Sequence, residues 1–197
     1  MTLARRQIEA RASRVGASEL PSLTGTSRYG SPATVYDRLI GTTGPMEQTT
    51  PMRVGIYLER HVLILSRDIF GLLSTPCWRA YVHKGGVPMT ASPDAYAKRF
   101  GAYGAGLVEV KVTSSRWNGV VPLYVIDQVQ AQMGLTGRPY CHVAVLSGSS
   151  LDVITVPFDQ ARYEYLEDTV RRFDRDHLQP RIRPPEPNPL IVGATNK

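Results

Sequence analysis

Hydrophobic and polar positions follow two different periods along this chain, and the change falls near Cys77. Before it the spacing is helical. Residues 2–14 read as a short basic helix, with Arg5, Arg6, Arg11 and Arg14 set against Glu9. The segment Gly16 to Pro21 turns the chain, and Ser18 is the expected helix N-cap, because a short side-chain oxygen can accept an unpaired N–H of a first turn. Pro32 to Leu39 predicts a second helix opened by Ser31-Pro32. After a Gly- and Thr-rich loop from Gly41 to Thr50 comes a stronger helix, Pro51 to Phe70, with Val54, Leu58, Val62 and Leu65 at helical spacing and Gly71 ending it. Beyond Cys77 the pattern becomes that of short strands: Trp78 to Val82, Pro88 to Ala91, Ala95 to Lys98 and Gly106 to Val112. Lys84-Gly85-Gly86 and a longer stretch from Gly101 to Gly106 supply the turns. Pro122 to Leu135 predicts a helix stopped near Gly137. Cys141 to Leu146 and Leu151 to Val156 predict a hairpin, and Phe158 to Leu178 a final helix capped at Asp159 or its neighbours. This order describes one α/β domain over 1–179, a central mixed sheet flanked by helices. Five prolines between Pro180 and Pro189 mark 180–197 as a Pro-rich tail.

Composition narrows the function classes. At 197 residues and 42% hydrophobic, the chain can build a core without a covalent or metal staple. Cys77 and Cys141 are too few for a disulfide framework or a four-cysteine zinc or iron–sulfur site, and they suit a reducing compartment. No run of 18 apolar residues suggests a membrane span, and the first residues lack the apolar stretch of a secretory signal, so a cytoplasmic protein is expected. Lys plus Arg is 23 against 17 acids, a net +6, which favours a polyanionic partner, nucleic acid first. Lysines are few beside arginines, which singles out Lys111, set inside an apolar strand.

The strand Leu107-Val108-Glu109-Val110-Lys111-Val112 alternates strictly. Its valines share one face, and Glu109 and Lys111 share the other. An acid and a lysine two apart commonly form no more than a solvated charge pair. Upstream, however, Ser92-Pro93-Asp94 ends a neighbouring strand, and pairing of the two strands would set Asp94 beside Glu109. Two close carboxylates repel unless a cation stands between them. An oxygen site of this kind, with the Val110 carbonyl as a further ligand, suits Mg²⁺, or Mn²⁺ in its place. Phosphodiester hydrolysis needs such a site, because a metal steadies charge on the phosphate and makes bound water acidic. Lys111 would orient that water. Glu59, an acid in a densely apolar helix, taken alone reads sooner as a solvated residue beside Arg60, though it could add to the site. Tyr124, Gln128 and Gln132 stack at i, i+4 spacing on a polar helix face that could pack over the same strand. His61, His83, His142 and His177 have no ligand spacing.

Together these residues resemble the PD-(D/E)XK nuclease superfamily, and within it the YqaJ-type viral recombinases related to phage lambda exonuclease. The resemblance runs through Arg14 to Glu19, Ser27-Arg28-Tyr29-Gly30-Ser31-Pro32, Gly55-x-x-x-Glu59, Ser92-Pro93-Asp94, Glu109-Val110-Lys111 and Tyr124-x-x-x-Gln128-Val129-Gln130, and on to Pro184-Pro185. It implies that Asp94 and Glu109, with Glu59 and the Val110 carbonyl, hold Mg²⁺, that Lys111 is the catalytic lysine, and that Gln128 lies beside it. It also implies that Ser18, with Arg11 or Arg14, receives a DNA 5′ phosphate, and that Arg28 meets DNA. Ala95 stands where the family has glycine, a departure that touches the local turn and leaves the carboxylates and lysine in place. The activity implied is a Mg²⁺-dependent 5′–3′ exonuclease that resects double-stranded DNA ends for a phage single-strand annealing protein. A ring-shaped homo-oligomer, such as a trimer, and a phage or prophage origin are implied with it. Two other functions use the same residues: a restriction- or nicking-type endonuclease, and a DNA-binding module without activity.

Overall fold

The computed structural model describes residues 5–44, 47–99 and 102–186. In chain order the elements are α1 (Arg5–Ala12), β1 (Val15–Gly16), a 3-10 turn (Ala17–Glu19), α2 (Leu20–Thr24), α3 (Pro32–Ile40) and α4 (Thr50–Phe70). Then come β2 (Ser74–Pro76), β3 (Tyr81–Val82), β4 (Met89–Ala91), β5 (Ala95–Arg99), β6 (Ala102–Thr113) and α5 (Leu123–Thr136). The hairpin β7 (Tyr140–Ser147) and β8 (Ser150–Pro157) follows, and α6 (Gln160–Phe173) runs on into a π-type turn, Asp174–Leu178.

The main sheet has the order β2-β5-β6-β7-β8; β6 and β7 are parallel and the other neighbours antiparallel. A small second sheet, β1-β4-β3, pairs Val15 with Met89 and Gly16 with Thr90 in parallel. The alternation of β6 sorts its residues between two helices, as the period of a strand requires. Val108 and Val110 pack with Ala95, Ala97 and Ala144 against Val62 and Leu63 of α4. Leu107 turns the other way, into a cluster with Val125, Val129 and Met133 of α5. The sheet is thus the middle of three layers, which is the expected α/β arrangement, and β6 has no solvated face. A third cluster joins Val15, Leu20, Tyr36 and Met89 to Leu166, Val170 and Phe173 of α6.

Local chemistry sets the helix ends. Ser31 accepts the N–H of Thr34 and Asp159 that of Arg162, so α3 and α6 begin where their caps stand. Ser18 is not a cap. It lies inside the 3-10 turn, whose first N–H, from Gly16, goes instead to Glu19 Oε2 at 2.8 Å. On α4 the buried stripe is Val62, Leu63 and Ser66, with Leu58 packed beside it, while Val54 and Leu65 are exposed.

Of the stretch expected as a turn, 102–106 is strand: β6 begins at Ala102, and Gly106 pairs with Ala97, while Gly101 lies outside the described residues. A Cβ on Gly106 would lie 2.2 Å from the Tyr140 ring, so glycine there serves close packing. The strand expected over Trp78 to Val82 shrinks to Tyr81–Val82, and β2 adds an edge strand that the pattern did not reveal. The start of the Pro-rich tail is fastened to α3: Arg183 pairs with Asp37, and Ser31 donates to Glu186. Residues 1–4 of the expected first helix and 187–197 of the tail lie outside the described residues. Among the described residues no helix is long and apolar enough to cross a membrane.

Candidate active site

β5 and β6 pair Ala95 with Val108, and one step further in that register sets Asp94 across from Glu109, on the α5 side of the sheet. Asp94 Oδ2 accepts the Val110 N–H at 2.7 Å, which holds the aspartate against the backbone between Glu109 and Lys111. Lys111 Nζ donates to Glu109 Oε1 at 2.7 Å and to Gln128 Oε1 at 2.8 Å, and Gln128 Nε2 returns to Glu109 Oε1 at 2.6 Å. Gln132 Nε2 takes the other oxygen, Glu109 Oε2, at 2.8 Å. The polar face of α5 therefore packs over the charged face of β6, and Glu109 is only 3% exposed.

The electrostatics follow from burial. Loss of hydration pushes the Asp94 carboxyl well above the usual carboxylate range, and the charges of Glu109 and Glu59 push it further; the Val110 N–H and Lys111 oppose them. Glu59 comes from α4, on the opposite side of the sheet; burial raises its pKa, and the charge of Glu109 adds to the rise. Burial lowers the affinity of Lys111 for its proton, but the charge and hydrogen bond of Glu109, with the charge of Asp94, more than reverse this. Lys111 is accordingly held as an ammonium. Tyr124, on the same α5 face, is raised by burial, which the charges of Lys111 and Arg28 oppose; Arg28 itself is exposed.

Among the described residues no three His, Cys, Asp or Glu side chains form a ready-made cation cage. The donor chemistry nonetheless fits a hard divalent cation. Asp94 is a buried carboxylate raised by two carboxylate neighbours, with one lysine already engaged, and a cation would relieve that excess negative charge.

A cavity of about 30 Å³ adjoins this cluster, lined by Arg11, Gly16, Ser18, Ser92, Gln128 and Gln132 among others. It exists because β1 lies parallel to β4, so the turn after β1 and the chain after β4 emerge side by side. Arg11 Nη2 donates to Ser18 Oγ at 3.1 Å. Arg14 points elsewhere, its guanidinium on the Ala10 carbonyl at 3.3 Å. A Cβ on Gly16 would stand 3.1 Å from Glu19 Oε2 and 3.4 Å from Arg11 Nη2, so glycine keeps this wall open. Arg38 of α3 clasps the whole segment. It donates to the Arg11 carbonyl at 2.8 Å, to the Arg14 carbonyl at 2.9 Å and to both oxygens of Glu19.

Arg38 escaped the sequence reading, and Ser92 entered it only as part of the Ser92-Pro93-Asp94 motif, while the Gln132 contact with Glu109 is what the polar face of α5 led one to expect. The i, i+4 stack had already placed Gln132 with Gln128, and that spacing was the available signal. Nothing in the sequence marks Arg38, whose role depends on the pairing of β1 with β4.

The sequence matches no curated protein. Among solved structures, the alkaline exonuclease LHK-Exo from Laribacter hongkongensis is similar at 22% identity, with a TM-score of 0.72 over 91% of this chain and 94% of that one. LHK-Exo in complex with dAMP is similar at 21% identity and the same TM-score of 0.72. A phage related exonuclease from Haemophilus somnus 129PT is similar at 11% identity, with a TM-score of 0.62 over 82% of this chain and 92% of that one. The fold is thus that of the PD-(D/E)XK exonucleases. A family model for the YqaJ-like viral recombinase domain matches residues 8–139, more than half of the chain, and the chain belongs to that family.

Proposed function

We propose that this protein is a Mg²⁺-dependent phage recombination nuclease that resects linear double-stranded DNA from its ends in the 5′–3′ direction. The observation that carries the reading is the joining of Asp94, Glu109, Lys111 and Gln128 to a pocket built from Arg11 and Ser18, with Gln128 lining both. Membership of a viral recombinase family supports a nuclease of phage type, and the exonuclease names of the structural neighbours support DNA as its substrate.

In this reading Asp94, Glu109 and the Val110 carbonyl hold Mg²⁺, with Glu59 completing the site directly or through water. A bound divalent ion would supply charge stabilisation at the scissile phosphate and an acidified water. Lys111, kept charged by Glu109 and Asp94, acts as a fixed hydrogen-bond donor: it orients the attacking water and offsets negative charge developing on the phosphate. Gln128 keeps the lysine in place, because its amide bridges Lys111 Nζ and Glu109 Oε1. Arg11 and Ser18 receive the 5′ phosphate of the end, and Arg28 contacts the duplex. A ring-shaped homo-oligomer and a single-strand annealing partner belong to the same reading.

The test is digestion of matched linear and covalently closed duplex DNA with Mg²⁺, beside folded Glu109→Ala and Lys111→Ala. Loss of the linear form alone, abolished in both variants, is expected. Cutting of the closed circle would assign an endonuclease instead. Tight DNA binding without cleavage under any metal would leave a binding module.

A further inference from the structure

Gln132 stands between two parts of the site. Its Nε2 donates to Glu109 Oε2, and the side chain is 1% exposed, so it cannot swing out to solvent. The orientation of the amide is set by chemistry, because an oxygen turned toward the carboxylate would repel it. Glu109 Oε1 is shared by Lys111 and Gln128, which leaves Gln132 as the donor named on Oε2. The last torsion of a glutamate is broad, so a carboxylate gripped through one oxygen can turn about it. A grip on both oxygens fixes its plane.

The far end of the same amide is unusual. Gln132 Oε1 is buried and, among the described residues, has no hydrogen-bond partner; Ser92 Oγ is in the same condition. Both residues line the cavity that holds Arg11 and Ser18. The amide of Gln128 has no such loose end, since its oxygen accepts from Lys111 and its nitrogen donates to Glu109. A carboxamide is one rigid plane. The nitrogen end is therefore the end of Gln132 that is committed, and it is committed to Glu109.

We propose that Gln132 is a positioning residue for Glu109, its amide holding the second carboxylate oxygen and so fixing the plane that Lys111 and Gln128 leave free to turn. The inference rests on the reading of the site as a nuclease acting at phosphate-bearing ends. Arg11 and Ser18 then account for how tightly such an end binds. Gln132 accounts for how fast it is cut once bound.

The experiment uses the full chain with Gln132→Met, which keeps length and volume, and Gln132→Leu as a second variant, each checked by thermal melting. Steady-state cleavage is measured on linear duplexes with 5′-phosphate and with 5′-hydroxyl ends, and Mn²⁺ binding to the DNA-free protein by calorimetry. With 5′-phosphate ends, kcat is expected to fall roughly 10- to 100-fold and Mn²⁺ affinity about 10-fold, the range for a residue that orients a metal-binding carboxylate. KM should stay near the wild-type value. The difference in KM between 5′-phosphate and 5′-hydroxyl ends should persist. A folded variant with wild-type kcat and Mn²⁺ affinity would overturn the proposal, as would a loss confined to KM. Unfolding of both variants would overturn it too, by making Gln132 a packing residue. A wild-type protein that leaves linear DNA intact would defeat the nuclease reading, and the Mn²⁺ titration would still decide whether Gln132 holds Glu109.

Discussion

Asp94 is the residue under most electrostatic pressure, and its sign makes a prediction about stability. Its pKa in the folded protein is raised by burial and by Glu109 and Glu59. The native state therefore binds a proton that the unfolded chain has already lost above the ordinary aspartate pKa near 3.9. For a carboxyl with a raised pKa, the favourable contribution is full below the unfolded pKa and is lost as pH rises through the folded one. Metal-free protein should thus pay for an ionised Asp94 at neutral pH. Asp94→Asn is expected to melt at a higher temperature than the wild type in chelator at pH 7.5, and the gap should close toward pH 4. A neutral-pH melt lower than the wild type would show that the aspartate is relieved some other way. Arg11 makes a second prediction at this scale: Arg11→Ala should raise KM for 5′-phosphorylated ends roughly 10- to 100-fold, the worth of one charge-assisted contact, and leave KM for 5′-hydroxyl ends unchanged.

Among the elements, α5 divides its polar residues between two tasks. Gln128 and Gln132 face β6, whereas Asp127, fully buried, accepts from Thr24 at 2.7 Å, Thr26 at 2.9 Å and Arg162 Nε at 2.8 Å. That network fixes α5 to the segment after α2 and to α6. Asp127→Ala would strand the Arg162 guanidinium, and a loss of about 3–5 kcal/mol in urea unfolding is expected, the usual cost of breaking a buried pair. The sequence made β6 and the glutamine face of α5 legible, because strict alternation and i, i+4 spacing survive in the folded elements. Asp127 was silent, since helical periodicity does not say which polar position meets another helix. The two-residue strand β1 was silent for a related reason: it has too few residues to show a period, and it exists only by pairing with β4. The expected cap at Ser18 failed because its hydroxyl accepts from Arg11, and Pro21, three residues on, has no N–H to offer it.

For the whole molecule, the net charge of +6 belongs to association rather than to fold. Binding to DNA releases condensed counterions, so the logarithm of affinity should fall linearly with the logarithm of salt concentration. A titration from about 50 to 200 mM salt, monitored by fluorescence anisotropy on a linear duplex, is expected to show that slope. Arg28→Ala should make it shallower by about one contact, while a packing substitution should leave it unchanged.

The pairing of β1 with β4 separates two kinds of knowledge within the molecule. Asp94, Glu109, Lys111 and Gln128 lie on β6, α5 and the approach to β5, far along the chain from Arg11 and Ser18, which reach them only through that short parallel pairing. In the proposed reading, the residues assigned to chemistry and those assigned to the strand end therefore come from different stretches of polypeptide. On that reading, a chain that lost the Arg11 side chain alone would keep its carboxylates and lysine, and would forfeit its choice among ends before it forfeited its chemistry.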